Sequence, residues 1–197
     1  TSIESYAFSS CSNLTEVTIP SSVASIGVNP FSSCSNLQEL HVDPANSYFV
    51  SIDNVLFTKD IQTLICYPCK NAPSKYTIPS SVTSIRDYAF SKCSSLIEVT
   101  IPLSVTSIGN NAFSYCVSLQ QITISSSEIS IGNAAFSSCS SLTQVTIESS
   151  VVSIAYDAFS GCVRLDSDTK NKMKQHFNLF SNRQMLGFEF LELFFRQ

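Results

Sequence analysis

The sequence predicts a repeat solenoid: parallel β ladders with short helical turns, one β-hairpin insertion and a helical C-terminal cap. Three observations carry that reading. A unit of 23 residues recurs through most of the chain. Each unit holds a short alternating segment closed by a polar or proline-bearing turn. No single unit could bury its own apolar residues, so units must stack on one another.

The repeat is visible as shared phases. Phe8, Phe31, Phe90, Phe113, Phe136 and Phe159 recur at 23 residues apart from one gap. Cys11, Cys34, Cys93, Cys116, Cys139 and Cys162 keep the same register, as do Leu14, Leu37, Leu96, Leu119, Leu142 and Leu165. Val17, Leu40, Val99, Ile122 and Val145 follow three residues after the leucines, and Ile19, Val42, Ile101, Ile124 and Ile147 two after those. Ile3, Ile26, Ile85, Ile108, Ile131 and Ile154 complete the set.

Within a unit, Val17-Thr18-Ile19 alternates in, out, in, which is strand periodicity. Pro20 lacks a backbone donor and should end that strand. Val23 and Ile26 point inward from a second extended piece. "NNAFSYC" and its equivalents group Ala, Phe and Cys as a short helical turn would. The gap from Phe31 to Phe90 is 59 residues, or 23 plus 36, so one unit carries about 13 extra residues. There, apolar runs from Val50 to Phe57 and from Ile61 to Tyr67 flank "TKD", which reads as a β-hairpin.

With "LTEVTIPSSVASIG" and "AFSSC" in view, the chain resembles leucine-rich-repeat proteins of the BspA-like family. The resemblance spans about residues 1–165, and "YFVSIDNVLFTKDIQTLICYP" resembles a hairpin unit that interrupts such repeats. It implies a leucine-rich-repeat solenoid over 1–165, with the insertion at about 46–70 and a cap or tail over 166–197. It also implies a cell-surface or secreted adhesin that binds host or matrix proteins. An intracellular scaffold for protein–protein interaction is the alternative. The chain opens within the pattern, at "TSIESYAF", which reads as a fragment or processed product.

Composition narrows the function classes. At 44% hydrophobic and 13% charged, the chain can bury a core. A net charge of −4 argues against nucleic acid, whose phosphates need a basic face. No apolar run approaches a transmembrane length. Five glycines leave little material for a phosphate loop, and no nucleophile elbow or zinc-protease motif occurs. No catalytic residue, metal site or cofactor is expected, and His41 reads as a surface residue in a polar row. Six of the eight cysteines keep the repeat phase and read as reduced, buried filler. A disulfide between adjacent rungs would require local distortion. Cys66 and Cys69, in "CYPC", are open to three readings: unpaired structural thiols, a disulfide, or two ligands of a metal.

Partner recognition is expected on the outward strand positions. These are Thr15, Glu16 and Thr18, then Gln38, Glu39 and His41, then Lys75 and Thr77. Glu98 and Thr100 follow, then Gln120, Gln121 and Thr123, then Gln144 and Thr146. The face is polar and lacks the aromatic and arginine anchors of tight interfaces, so weak contacts to proteins or glycans, made useful by multivalency, are expected. Threonine on a strand also needs no ligand to explain it. The hairpin adds Tyr48, Phe49 and Tyr67 as possible contacts. In the tail, Asp166, Ser167 or Asp168 could cap a helix.

Overall fold

The computed structural model describes residues 1–70, 73–126, 128–147, 153–155 and 157–171. Two parallel ladders run along a solenoid. The first is built from the V-x-I segments. β2 (Glu16–Ile19) pairs with β4 (Glu39–Val42), and β8 (Lys75–Thr77), β10 (Glu98–Ile101), β12 (Gln121–Ile124) and β14 (Gln144–Ile147) form a four-stranded sheet in that order. The second ladder is built from two-residue S-I strands. β1 (Ser2–Ile3) pairs with β3 (Ser25–Ile26), and β9 (Ser84–Ile85), β11 (Ser107–Ile108), β13 (Ser130–Ile131) and β15 (Ser153–Ile154) continue it. The register matches the repeat, with Val99 opposite Ile122 and Ile122 opposite Val145. Each strand therefore keeps its inward residues over those of its neighbour.

The expected helical turns are not formed. In the described repeats the A-F-x-x-C segments are turns, because a left-handed residue stands two positions before each phenylalanine and another two after it. Tyr88 (φ 62°) and Lys92 (φ 66°) flank Phe90, and Asn111 (φ 55°) and Tyr115 (φ 59°) flank Phe113. A positive φ at a non-glycine residue interrupts any right-handed helix. The freed backbone groups bond between rungs instead: Phe90 N–H donates to Ala112 O and Phe113 N–H to Ala135 O, both at 2.7 Å. Polar side chains add a parallel ladder, with Asn110 N–H donating to Asp87 Oδ1 (2.7 Å) and Asn133 N–H to Asn110 Oδ1 (2.9 Å). Rungs approach so closely here that a Cβ on Gly109 would lie 2.5 Å from Asp87 N.

Stacking buries the apolar phases. Phe90, Phe113, Phe136 and Phe159 form a column with ring centroids 4.6, 5.1 and 5.0 Å apart and nearly parallel planes. The cysteine phase has its own logic. Each thiol donates to the carbonyl of the phenylalanine one rung earlier: Cys116 to Phe90, Cys139 to Phe113 and Cys162 to Phe136, all at 3.1 Å. Cysteine thus supplies a small apolar volume and a weak donor together.

The insertion is larger than the hairpin expected. β5 (Phe49–Ile52), β6 (Val55–Thr58) and β7 (Thr63–Cys66) form an antiparallel meander, and β7 then pairs in parallel with β9. The hairpin around "TKD" is there, but the first apolar run is split by a turn at Asp53 (φ 50°) and Asn54 (φ 65°). Two consecutive left-handed residues match the tight hairpin turn that suits strand twist. The meander is a wall between two cores. Val55, Phe57 and Leu64 face the larger, C-terminal core, while Phe49, Leu56 and Ile65 face the smaller one around Leu37 and Leu40. Buried on both faces, Val55, Leu56 and Phe57 form a continuous apolar run rather than an alternating one.

Asn46 anchors the entry to this wall. It is 1% exposed, and its amide donates to Pro20 O (2.8 Å) and Val23 O (3.0 Å) while its Oδ1 accepts from Tyr48 N (2.8 Å) and Phe49 N (2.9 Å). At the other end, residues 167–171 are helical and Asp166 is the cap, its Oδ1 accepting from Thr169 N at 2.6 Å. The rest of the tail expected to cap the array, from residue 172 on, lies outside the described residues.

Candidate interaction face and the cysteine cluster

Parallel register gathers the outward strand positions on one side. Glu16 lies opposite Glu39 and Thr18 opposite His41 in the short sheet. In the longer sheet Lys75, Glu98, Gln121 and Gln144 make one row, and Thr77, Thr100, Thr123 and Thr146 the next. Thr15 and Gln120 are exposed and Gln38 is partly buried beside these rows. Their backbone carbonyls bond onward, Thr15 O accepting from Gln38 N and Gln120 O from Thr143 N.

The charges on this face are paired locally. Lys75 Nζ lies 2.6 Å from Glu98 Oε2, and His41 Nε2 lies 2.9 Å from Glu39 Oε2. Both pairs are solvent-exposed and add little stability. Glu16, Glu39 and His41 bring one potential ligand atom each within 4.8 Å of the others, all three exposed. Spacing along the sequence does not show this grouping, because Glu16 joins it through the strand register.

Two of the three residues expected as contacts on the insertion are elsewhere. Tyr48 is exposed at 54%, but Phe49 (6%) and Tyr67 (3%) are core residues. Phe49 points inward from β5. Tyr67 stands 23 residues before Phe90, in the phenylalanine phase, and its ring stacks on Phe90 with centroids 4.7 Å apart.

The cysteines also need a correction. Cys116, Cys139 and Cys162 are buried free thiols, as a reduced ladder requires, but Cys93 is disulfide-bonded to Cys69. Cys69 falls one residue outside the ladder phase, 24 before Cys93. The return from β7 sets their Cα atoms 4.7 Å apart, within disulfide range. Of the three readings of "CYPC", none has this pairing: Cys66 and Cys69 do not bond each other. Cys66 stays free near Cys34, and burial, then that neighbouring thiol, pushes its pKa up to about 12. A thiol so disposed stays protonated and is a poor nucleophile.

Stacked 23-residue rungs, a parallel ladder on one side, hydrogen-bonded turns and a column of buried Leu, Phe and β-branched residues define a leucine-rich-repeat solenoid. The chain belongs to the BspA type leucine rich repeat family, whose six copies match residues 1–68 and 59–186.

Among solved structures it is similar to a leucine rich cell surface protein from Faecalibacterium prausnitzii, at 31% identity and a TM-score of 0.64, covering 84% of this chain and 50% of that one. A leucine-rich repeat protein from Eubacterium ventriosum is 26% identical with a TM-score of 0.61, covering 77% and 47%. The pneumococcal vaccine antigen PcpA is 21% identical with a TM-score of 0.66, covering 89% and 56%, and shares the fold. The chain thus spans about half the length of these structures. No curated protein matches it in sequence. The fold is of the protein-interaction type. Among the described residues no helix is long and apolar enough to cross a membrane.

Proposed function

We propose that the chain is a non-enzymatic interaction module of a cell-surface or secreted adhesin, binding host or matrix proteins through its outward strand face. The observation that carries this is the in-register four-stranded sheet, which offers two continuous rows of polar side chains on a rigid backbone. Rows of Thr, Gln and Glu with locally paired charges suit shallow, hydrogen-bonded contacts repeated along a surface. The Cys69–Cys93 disulfide supports an oxidising location over the intracellular scaffold. The words "cell surface protein" for the Faecalibacterium relative point the same way.

The test is direct binding of the purified chain to immobilised matrix proteins and to host cells, compared with a Thr100→Arg, Thr123→Arg variant. Saturable binding lost in the variant supports the reading. No saturable binding to any of these, or binding indifferent to the variant, would remove its basis.

A further inference from the structure

The aromatic column is interrupted once. Phe8 stacks on Phe31 at 5.5 Å, and the next described stack begins at Tyr67 on Phe90. Between Phe31 and Tyr67, where a regular rung would put a complete turn, the meander returns only a short segment. The result is a cleft of about 600 Å³ on the turn side of the solenoid, lined by none of the strand-face residues. That volume is in the range of small-molecule sites.

The lining is chemically selective. Its floor is apolar, from Phe31 and Leu37, and its aromatic groups include Tyr6, Tyr88 and Tyr115. Serine hydroxyls and the amides of Asn29 and Asn111 supply donors and acceptors around it. The charged residues in the lining are Lys70 and Lys92, both exposed, and no carboxylate lines it, in a chain whose net charge is −4. Deepest is Tyr67, 3% exposed, whose hydroxyl has no hydrogen-bond partner in the protein. A buried hydroxyl left unpaired costs about 1–3 kcal/mol, which a ligand oxygen would relieve.

The walls are fixed in advance. Lys70 N–H donates to Leu37 O across the gap at 3.3 Å, and Lys92 Nζ donates to Ser33 Oγ at 2.8 Å. The Cys69–Cys93 disulfide ties the lip carrying Tyr67 and Lys70 to the next rung. Such fixing lowers the ordering cost of binding.

We infer that this cleft is a binding site for a carboxylated sugar, at the end or within a short acidic oligosaccharide. Tyrosine rings match the C–H faces of a pyranose, the serines and asparagines match its hydroxyls, and the two lysines match its carboxylate. An acidic peptide would satisfy the lysines but leave the hydroxyl-rich wall and the Tyr67 hydroxyl less well used.

The test is a glycan array carrying neutral, uronic-acid and sialic-acid oligosaccharides, followed by calorimetric titration of the best-retained glycan and of tri-glutamate. Carboxylated glycans are expected to be retained over their neutral counterparts. A Lys70→Gln, Lys92→Gln variant should bind at least tenfold more weakly. Tyr67→Phe should weaken binding several-fold while leaving the melting temperature unchanged or raised, an effect that loss of folding cannot imitate. Equal retention of neutral glycans, no retention of any carboxylated one, tighter binding of tri-glutamate, or unchanged affinity in both variants would each overturn the inference.

Discussion

Asn46→Ala should be among the most damaging single changes at a polar residue of this chain. The side chain makes four hydrogen bonds, two as donor and two as acceptor, between the turn after β2 and the start of β5. Truncation does not orphan all four partners equally. Pro20 O still accepts from Val23 N (3.2 Å), and Tyr48 is exposed, so its N–H can rehydrate. Val23 and Phe49 are buried, so Val23 O and Phe49 N–H lose a partner where water is excluded. Two such groups at about 1–3 kcal/mol each, less what water entering the vacated space recovers, leave a net loss of about 2–4 kcal/mol. Asn46→Asp separates the two halves of the argument. It keeps the acceptor but turns a carboxylate toward two carbonyl oxygens. Its carboxyl should then titrate above the usual value in the folded state, so the variant should regain stability as pH falls through that raised value. Urea unfolding followed by far-ultraviolet circular dichroism measures both. A loss under about 0.5 kcal/mol for Asn46→Ala would show that the four bonds do not hold the insertion in place.

Phe113 is fully buried between two stacked rings, so Phe113→Ala should cost about 3–5 kcal/mol and Phe113→Leu clearly less, read from the same unfolding curves. Reducing Cys69–Cys93, separated by 24 residues, should lower stability by about 3 kcal/mol, and denatured, unreduced protein should titrate six thiols rather than eight. Alkaline stability should fall early. Burial raises the pKa of Cys66 from 9.0, and of Tyr67 from 10.0, each to about 12. Both groups hold protons more tightly when folded, so their contribution is intact below about pH 9 and is lost as pH rises toward 12. Melting temperatures across that window should decline less steeply for Cys66→Val than for the parent.

The repeating part of the fold was legible because each structural role recurs at one phase. Phe90, Leu96, Val99 and Ile101 are each at 0–1% exposure, as their counterparts are one rung on, and alternation in "EVTI" marks the outward Thr100. Legibility failed where the array departs from its own rule. Val55-Leu56-Phe57 lost its alternation because a core lies on each side, which hid the turn at Asp53-Asn54. Spacing in A-F-x-x-C imitates a helix, and the left-handed residues that prevent it are Tyr, Asn, Ala, Ser and Lys as often as Gly. Tyr67 could have been placed by counting back 23 from Phe90, but the tyrosine hydroxyl and the neighbouring "CYPC" drew attention to the surface instead. The cleft depends on a rung that is missing, and absent side chains leave no periodic signal.

The single disulfide has a mechanical meaning for a protein held at a surface. Ladders whose hydrogen bonds lie along the solenoid axis yield to traction one rung at a time, like a zipper opened from its end. A covalent tie between the last segment of the meander and the rung after it would arrest peeling that starts at the N-terminal side. Extension would stop at Cys69 until the loop to Cys93 itself was reduced. The first two rungs could thus be drawn out and recoil under a fluctuating pull, while the Phe90-to-Phe159 column stayed under no strain.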